Sequence, residues 1–161
     1  MLFLFLALLL SPSLALSQDF TGRVIGVMDG DTIEVLSNKK PYRVRLYGID
    51  CPEKAQAFGQ RAKQAISSLV FSKTVTVETH GRDKYKRTIG DIFLSDGTHV
   101  NRELVAEGWC WWYQKYAPED VTLAALEIAA KLAHKGLWVD PAPIPPWEYR
   151  TGRARPSEHT R

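Results

Sequence analysis

Three short stretches of alternating apolar and polar residues near the start of the chain constrain its fold more than any other feature. They cover residues 20–27, 32–36 and 42–47. Asp29-Gly30-Asp31 separates the first two stretches and residues 37–41 separate the other two, and such clusters of turn-forming residues favour tight reversals. Because consecutive strands joined by short turns pair with each other, this pattern predicts an antiparallel β-meander.

Strand-like and helix-like segments alternate along the rest of the chain. Residues 74–79 and 89–94 have strand character, whereas the segment after Phe58 and residues 100–107 and 118–135 have helical spacing or helix stop signals. Five strands with interspersed helices predict a mainly β, α+β domain, a five-stranded barrel of the OB-fold type with three helices. The stripe of the last helix is expected to lie in the core: Leu123, Leu126, Ile128, Ala130 and Leu137.

Residues 1–17 have the character of a signal peptide. Met1 to Leu10 is an apolar run too short to span a bilayer, which needs about 20 residues. Small residues in Ala15-Leu16-Ser17 permit cleavage before Gln18, and the alternative is an uncleaved anchor. Cleavage predicts a secreted or periplasmic protein without stable membrane association, in a compartment where disulfides persist.

The mature chain is expected to divide into a domain over residues 18–140 and a Pro- and Arg-rich tail over residues 141–161. Its length fits one domain, and we expect a monomer. Prolines between positions 141 and 146 favour extended polyproline structure. The tail has two possible states: a solvated, disordered end, or a segment docked on the barrel through Trp147.

Three polar clusters carry the residue types of a reactive site: residues 29–32, 45–53 and 82–87. Taken singly, each has an ordinary explanation, namely a turn, a strand with a solvent face and a solvated charged loop. Their combination is more informative, because strand ends and adjacent loops meet at the rim of a barrel. The net charge of +3 permits a polyanionic partner without requiring one.

The acidic and arginine residues of these clusters fit the cleavage of phosphodiesters. Asp31, Asp50 and Glu53 supply the hard oxygen donors that Ca²⁺ or Mg²⁺ prefers, whereas no His or Cys spacing suits a transition metal. Arg45 and Arg87 offer planar forks for a phosphate group. A cation and two arginines would stabilise the charge of the transition state, leaving one carboxylate to act on a water molecule.

At these residues the chain resembles the staphylococcal nuclease family, from about Thr21 to Trp138. The resemblance implies a five-stranded OB-fold barrel with three helices, and Ca²⁺-dependent hydrolysis of DNA and RNA that leaves 3′-phosphate ends. It rests on five motifs in order: VMDGDTIEV (27–35), VRLYGIDCPE (44–53), RDKYKRTIG (82–90), DGTHVNRELVAEGW (96–109) and AHKGLW (133–138).

The resemblance also implies roles for individual residues. Asp31, Asp50 and the backbone carbonyl of Cys51 correspond to ligands of Ca²⁺, and Glu53 corresponds to the general base. The phosphate-binding arginines correspond to Arg45 and Arg87, and the nucleotide pocket corresponds to Lys84, Tyr85 and Tyr116. Cys51 stands where the founding member usually has Thr, and only four residues separate Glu53 from Phe58, where the founding member has a longer, lysine-rich loop.

Cys51 and Cys110 are the two cysteines of the chain. In the family fold, the segment after the second helix runs beside the loop that follows the third strand, so the resemblance implies that the two sulfur atoms can meet. An oxidising compartment favours a disulfide between them. The alternative is a pair of buried thiols.

Two other classes of protein compete with a nuclease. One is a catalytically silent relative that binds nucleic acid or protein, and the other is an OB-fold module that binds oligosaccharide. All five acidic and arginine positions are present, which favours the enzyme, and the barrel alone does not define a function. The aromatic run Trp109, Trp111, Trp112 and Tyr113 is expected to pack partly on the long helix, with an exposed member as a candidate for stacking on bases.

Overall fold

The computed structural model describes residues 18–152, so the predicted signal peptide lies outside the described residues, as does the end of the tail. Seven strands and four α-helices are present in this part of the chain. The elements are β1 Phe20–Asp29, β2 Thr32–Ser37, β3 Lys40–Leu46, β4 Ile49–Asp50, α1 Gly59–Val70, β5 Thr74–Arg82, β6 Thr88–Leu94, α2 Val100–Ala106, β7 Trp111–Trp112, α3 Val121–Leu132, a 3₁₀ turn at Gly136–Val139, and α4 Pro146–Arg150.

Five of the strands form a closed barrel in the order β1-β2-β3-β6-β5, which confirms the predicted architecture. Neighbouring strands are antiparallel except at β3 and β6, whose parallel pairing sets Arg45 beside Ile89. Alternate side chains point inwards, so Ile33 and Val35 are fully buried while Glu34 between them is partly exposed. Burial of each such side chain contributes about 1.5–3 kcal/mol to folding.

The helix count differs from the prediction by one, because the tail contributes α4 in addition to the three expected helices. Helix α1 matches its predicted place and buries Ala62, Ile66 and Val70 at a spacing of four residues. Within residues 18–152, no helix has both the length and the apolar character that crossing a bilayer requires.

Helix α3 is shorter than predicted and differs in the face that it buries. Asp120 caps its N-terminus by accepting a hydrogen bond from the Leu123 amide at 2.9 Å, so the helix begins after Pro118. The expectation that Ile128 lies in the core is wrong, since this side chain is 58% exposed. Glu127 faces inwards instead, where the Trp112 amide at 3.1 Å and the Lys131 ammonium at 2.7 Å satisfy its carboxylate.

A second, two-stranded sheet lies beside the barrel, and the sequence analysis did not predict it. Strands β4 and β7 pair antiparallel, with Ile49 opposite Trp112 and Asp50 opposite Trp111. The next pair along this ladder is Cys51 and Cys110, and the structure joins them in a buried disulfide. The bond therefore fixes the backbone directly after Asp50.

Candidate active site

The turn between β1 and β2 presents Asp31 towards the loop that follows β4. The Asp31 amide donates to the Asp29 carboxylate at 3.1 Å, which closes the turn. The Asp31 side chain accepts a hydrogen bond from the Cys51 amide at 2.8 Å. Two segments that are distant in sequence are thereby held together at one carboxylate.

Arg45 on β3 bridges the two buried aspartates of the site. One guanidinium nitrogen lies 2.9 Å from the Asp31 carboxylate and another lies 2.9 Å from the Asp50 carboxylate. Asp50 is only 1% exposed, so this positive charge compensates groups that water does not reach. Removing one partner of such a buried pair leaves an uncompensated charge.

The environment of Asp31 makes its carboxylate easier to protonate than that of a free aspartate. Burial raises the pKa of Asp31 to about 7, an effect that Arg45 opposes and that the nearby carboxylates of Asp29 and Asp50 reinforce. Arg45 therefore does not cancel the effect of burial on this group. A divalent cation bound beside Asp31 would favour its charged form.

Glu53 lies in the short loop between β4 and α1, with a side chain that is 38% exposed. The loop is closed by two hydrogen bonds: the Gln56 amide donates to the Glu53 carbonyl at 2.8 Å, and the Glu53 amide donates to the Gln56 side-chain oxygen at 3.1 Å. The Glu53 carboxylate is thus held at the edge of the cluster, where water can reach it.

Gly59, the first residue of α1, determines how closely the Glu53 loop approaches that helix. A Cβ atom at this position would overlap the Glu53 carbonyl group. We expect Gly59→Ala to destabilise the protein by about 1–3 kcal/mol and to lower the activity of this site by displacing Glu53. Thermal melts and initial rates test this, with Ser68→Ala on the exposed face of α1 as the control; a variant as stable and active as the control would contradict it.

The loop between β5 and β6 forms a second cluster of predicted residues. The Arg87 Nε donates to the Asp83 carboxylate at 2.7 Å, and the Arg87 guanidinium lies 5.5 Å from the centre of the Tyr85 ring. The Lys84 ammonium lies 5.0 Å from the same ring. Partial burial of Asp83 acts to raise the pKa of its carboxyl group. The hydrogen bonds from Arg87 outweigh this effect, so the pKa of Asp83 is lowered.

The predicted residues thus fall into two groups and one outlier. Asp31, Arg45, Asp50, Cys51 and Glu53 lie together, and Lys84, Tyr85 and Arg87 lie in the loop before β6. Within the described part of the chain, no hydrogen bond or ion pair links Arg87 to the carboxylates of the first group. Tyr116 lies elsewhere, on an exposed turn, with its ring edge-on to Tyr113 at 5.0 Å.

The aromatic run packs largely against other side chains. Trp111 is edge-on to Trp138 at 4.3 Å, and Trp112 donates its indole N–H to the Ala117 carbonyl at 2.9 Å. Trp147 of the tail docks here: its ring is parallel to that of Tyr113, with centroids 5.2 Å apart. Of the two states considered for the tail, the structure therefore shows docking up to Gly152.

Arg150 is the site residue that the sequence analysis missed. Its guanidinium donates to both oxygens of the Asp50 carboxylate, at 3.2 and 2.7 Å, and to Glu53 at 2.8 Å. The hydrogen bonds to Asp50 and Glu53 raise the pKa of Arg150 above its ordinary value. The sequence contains one signal for this role: Arg150 stands three positions after Trp147, the residue through which the tail could dock on the barrel.

The donor set fits a hard divalent cation. Asp31 and Asp50 are buried and share one arginine, and carboxylate and carbonyl oxygens are the ligands that Ca²⁺ takes in proteins. Within residues 18–152, no group of three or more His, Cys, Asp and Glu side chains is arranged to hold a metal ion. The predicted set contains only two such side chains, since its third oxygen belongs to the backbone.

A closed barrel that carries paired carboxylates and arginines is consistent with a nuclease, and comparison with known sequences identifies the family. Residues 43–140 match the family described as staphylococcal nuclease homologue. The chain is 44% identical over 135 residues to an uncharacterized endonuclease of Escherichia coli O157:H7, covering 84% of this chain and 88% of the relative.

Two further relatives have other names. Identity is 39% over 153 residues with a micrococcal nuclease of Shigella flexneri, covering 89% of this chain and 88% of the relative. It is also 39% over 141 residues with the protein ParB of Escherichia coli, covering 82% and 80%. The chain belongs to the staphylococcal nuclease family and is a nuclease that hydrolyses phosphodiester bonds of nucleic acids.

Proposed function

We propose that this nuclease is exported and that it hydrolyses phosphodiester bonds of both DNA and RNA with Ca²⁺, leaving 3′-phosphate ends. The observation that carries the proposal is the arrangement around Arg45, which joins two buried aspartates beside an accessible glutamate. Paired carboxylates have no use in a module that only binds a polyanion, because they repel phosphate.

Asp31, Asp50 and the Cys51 carbonyl are the residues that would hold the cation. Bound there, Ca²⁺ would supply Lewis-acid polarisation of the scissile phosphoryl group. The hydrogen bond from the Cys51 amide to Asp31 keeps these two ligand-bearing segments together. The substitution of Thr by Cys leaves the backbone carbonyl available.

Glu53 is proposed as the general base. Its carboxylate would take a proton from a water molecule as the water oxygen forms a bond to phosphorus. The bond from phosphorus to the 5′ oxygen then breaks, and that oxygen takes a proton from solvent to leave as a hydroxyl group. Arg45 and Arg87 would stabilise the negative charge that builds on the phosphoryl oxygens. Lys84, Tyr85 and Tyr116 would contact the nucleotide, and both tyrosines have more than half of their surface exposed.

The remaining proposals concern location and organisation. The buried disulfide is consistent with folding in an oxidising compartment, which supports secretion or a periplasmic location. We propose that residues 1–17 are a signal peptide, residues 18–140 the nuclease domain and residues 141–161 a tail. We also propose that the protein acts as a monomer.

Plasmid degradation tests the proposal. Purified protein should cut plasmid DNA and a single-stranded RNA when Ca²⁺ is present and should not cut either when a chelator replaces it. Treatment of the products with a 3′-phosphatase should release inorganic phosphate. Tight binding of DNA without cleavage under all metal conditions would favour the silent binding module instead.

Arg87→Ala should lower kcat by about a hundredfold, because it removes one charge-assisted hydrogen bond from the transition state. Single-turnover and steady-state rates on an oligonucleotide measure this. Arg43→Ala is the matched control, since Arg43 is an exposed arginine on β3 outside the three predicted clusters. An increase in KM with unchanged kcat would assign Arg87 to substrate positioning only.

A further inference from the structure

Within residues 18–152, every hydrogen bond that the Arg150 guanidinium makes is to the site itself. Two of its nitrogens bond both oxygens of the Asp50 carboxylate, and one of them also bonds Glu53. Arg45 already donates to one of the Asp50 oxygens. Asp50 thereby accepts three hydrogen bonds from two guanidinium groups, and a cation that binds both of its oxygens competes with Arg150.

Contacts along the tail hold Arg150 in this position. The Gln56 side chain donates to the Ile144 carbonyl at 2.6 Å, so the loop that carries Glu53 also anchors the tail. Three residues further on, Trp147 stacks on Tyr113 and meets Trp111 edge-on at 5.6 Å. Pro146 begins α4 at the helix position that tolerates proline, and one turn later the helix presents Arg150.

The same segment also covers an aromatic surface next to the proposed nucleotide pocket. Tyr113 makes a parallel stack with Trp147 and an edge contact with Tyr116, the tyrosine proposed for the nucleotide pocket. While Trp147 is docked, that face of Tyr113 is unavailable for stacking on a base. The tail thus contacts both the cation ligands and the aromatic residues next to the proposed nucleotide pocket.

We propose that the segment Ile144–Arg150 is an intramolecular strap that closes the site, with the Arg150 guanidinium taking the charge-balancing place of the divalent cation. This inference rests on the proposed Ca²⁺ dependence. Calcium binding releases the strap, because the cation and Arg150 require the same oxygens of Asp50. Release then uncovers Tyr113 for the substrate.

Both charges keep partners when the strap is released. Arg150 has 41% of its side chain exposed, so water solvates the freed guanidinium, while Asp50 keeps Arg45 in addition to the cation. Helix α4 has five residues, too few to be stable unless it is docked. If the strap is closed in about nine molecules of ten, the apparent affinity for Ca²⁺ is reduced by about tenfold.

Calcium titration by calorimetry tests the strap, using the intact disulfide-bonded protein freed of divalent cations. Arg150→Ala should bind Ca²⁺ about tenfold more tightly than the wild type. Trp147→Ala should also tighten binding, although it leaves the charge of Arg150 in place. Arg102→Ala, which removes an exposed arginine from α2, is the matched control and should leave the dissociation constant unchanged.

The outcomes separate the strap from the proposed calcium site. Equal or weaker binding in Arg150→Ala overturns the strap while leaving calcium dependence intact. Tighter binding in Arg150→Ala but not in Trp147→Ala also overturns it, since the effect would then be that of a nearby charge. If neither the wild type nor any variant binds Ca²⁺, both the proposed calcium dependence and the proposed strap are wrong. Calcium should also change the tryptophan emission of the wild type, and Trp147→Phe should lose most of that change.

Discussion

Glu53→Gln should lower kcat by about 10²- to 10⁴-fold, because an amide has no carboxylate oxygen to accept the proton of the attacking water. The substitution keeps the size and shape of the side chain. Glu53 is partly exposed and its only ion pair is with Arg150 in the described part of the chain, so the loss of its charge should change the melting temperature little. Steady-state kinetics on a defined oligonucleotide measures the effect.

Calcium affinity separates a base from a ligand at this position. Glu53→Gln should bind Ca²⁺ at least as well as the wild type, because Glu53 is not among the proposed ligands and its ion pair with Arg150 belongs to the closed strap. Glu78→Gln, at an exposed glutamate on β5, is the matched control for a change of surface charge. Turnover within a few-fold of that control would exclude Glu53 as the base, and a large loss of affinity would place it among the ligands.

Loss of the Cys51–Cys110 disulfide should destabilise the protein by about 4 kcal/mol in the chain-entropy model, since the bond closes a loop across a sequence separation of 59. The melting temperature should fall by about 10 °C or more. Calcium affinity should fall as well, because the disulfide directly follows Asp50 and fixes the backbone that carries the Cys51 carbonyl. Thermal melts and calcium titrations with and without reductant provide the measurement.

The double variant Cys51→Ser/Cys110→Ser serves as the control, because reductant should not change its melting temperature or its calcium affinity. Mass spectrometry after alkylation without reductant should find no modified cysteine in the wild type. Two alkylated thiols, or a melting temperature that reductant leaves unchanged, would contradict the prediction.

Long periodic segments were predictable from the sequence, and short or tertiary features were not. The barrel strands were predictable because five or more alternating residues between turn residues leave few other structures. Strands β4 and β7 have two residues each, so neither contains enough positions to show a period. The inward turn of Glu127 depends on the Trp112 amide and on Lys131, partners that helical spacing alone does not reveal.

The residues of the candidate site also differ in whether they could be predicted from the sequence. Asp31, Arg45, Asp50 and Glu53 could be selected because they follow or end strands that the pattern had already placed. Arg150 could not, because it contacts Asp50 across 100 positions of sequence, and the prolines before it suit an extended linker as well as a docked segment. Docking of the tail depends on the aromatic surface that Trp111 and Tyr113 form only in the folded protein.

The parallel pairing of β3 with β6 has a consequence for the order of folding. It joins residues 44–46 to residues 88–90. Strand β1 likewise pairs with residues 74–77 of β5, which lie far along the chain. Such non-local pairings slow folding, because the intervening loop must be closed before they form. A chain that emerges from its N-terminus can build the β1–β3 meander early, but the proposed site is complete only once the segment that carries Arg87 and β6 is available. We therefore expect chains that end before Arg87 to lack nuclease activity.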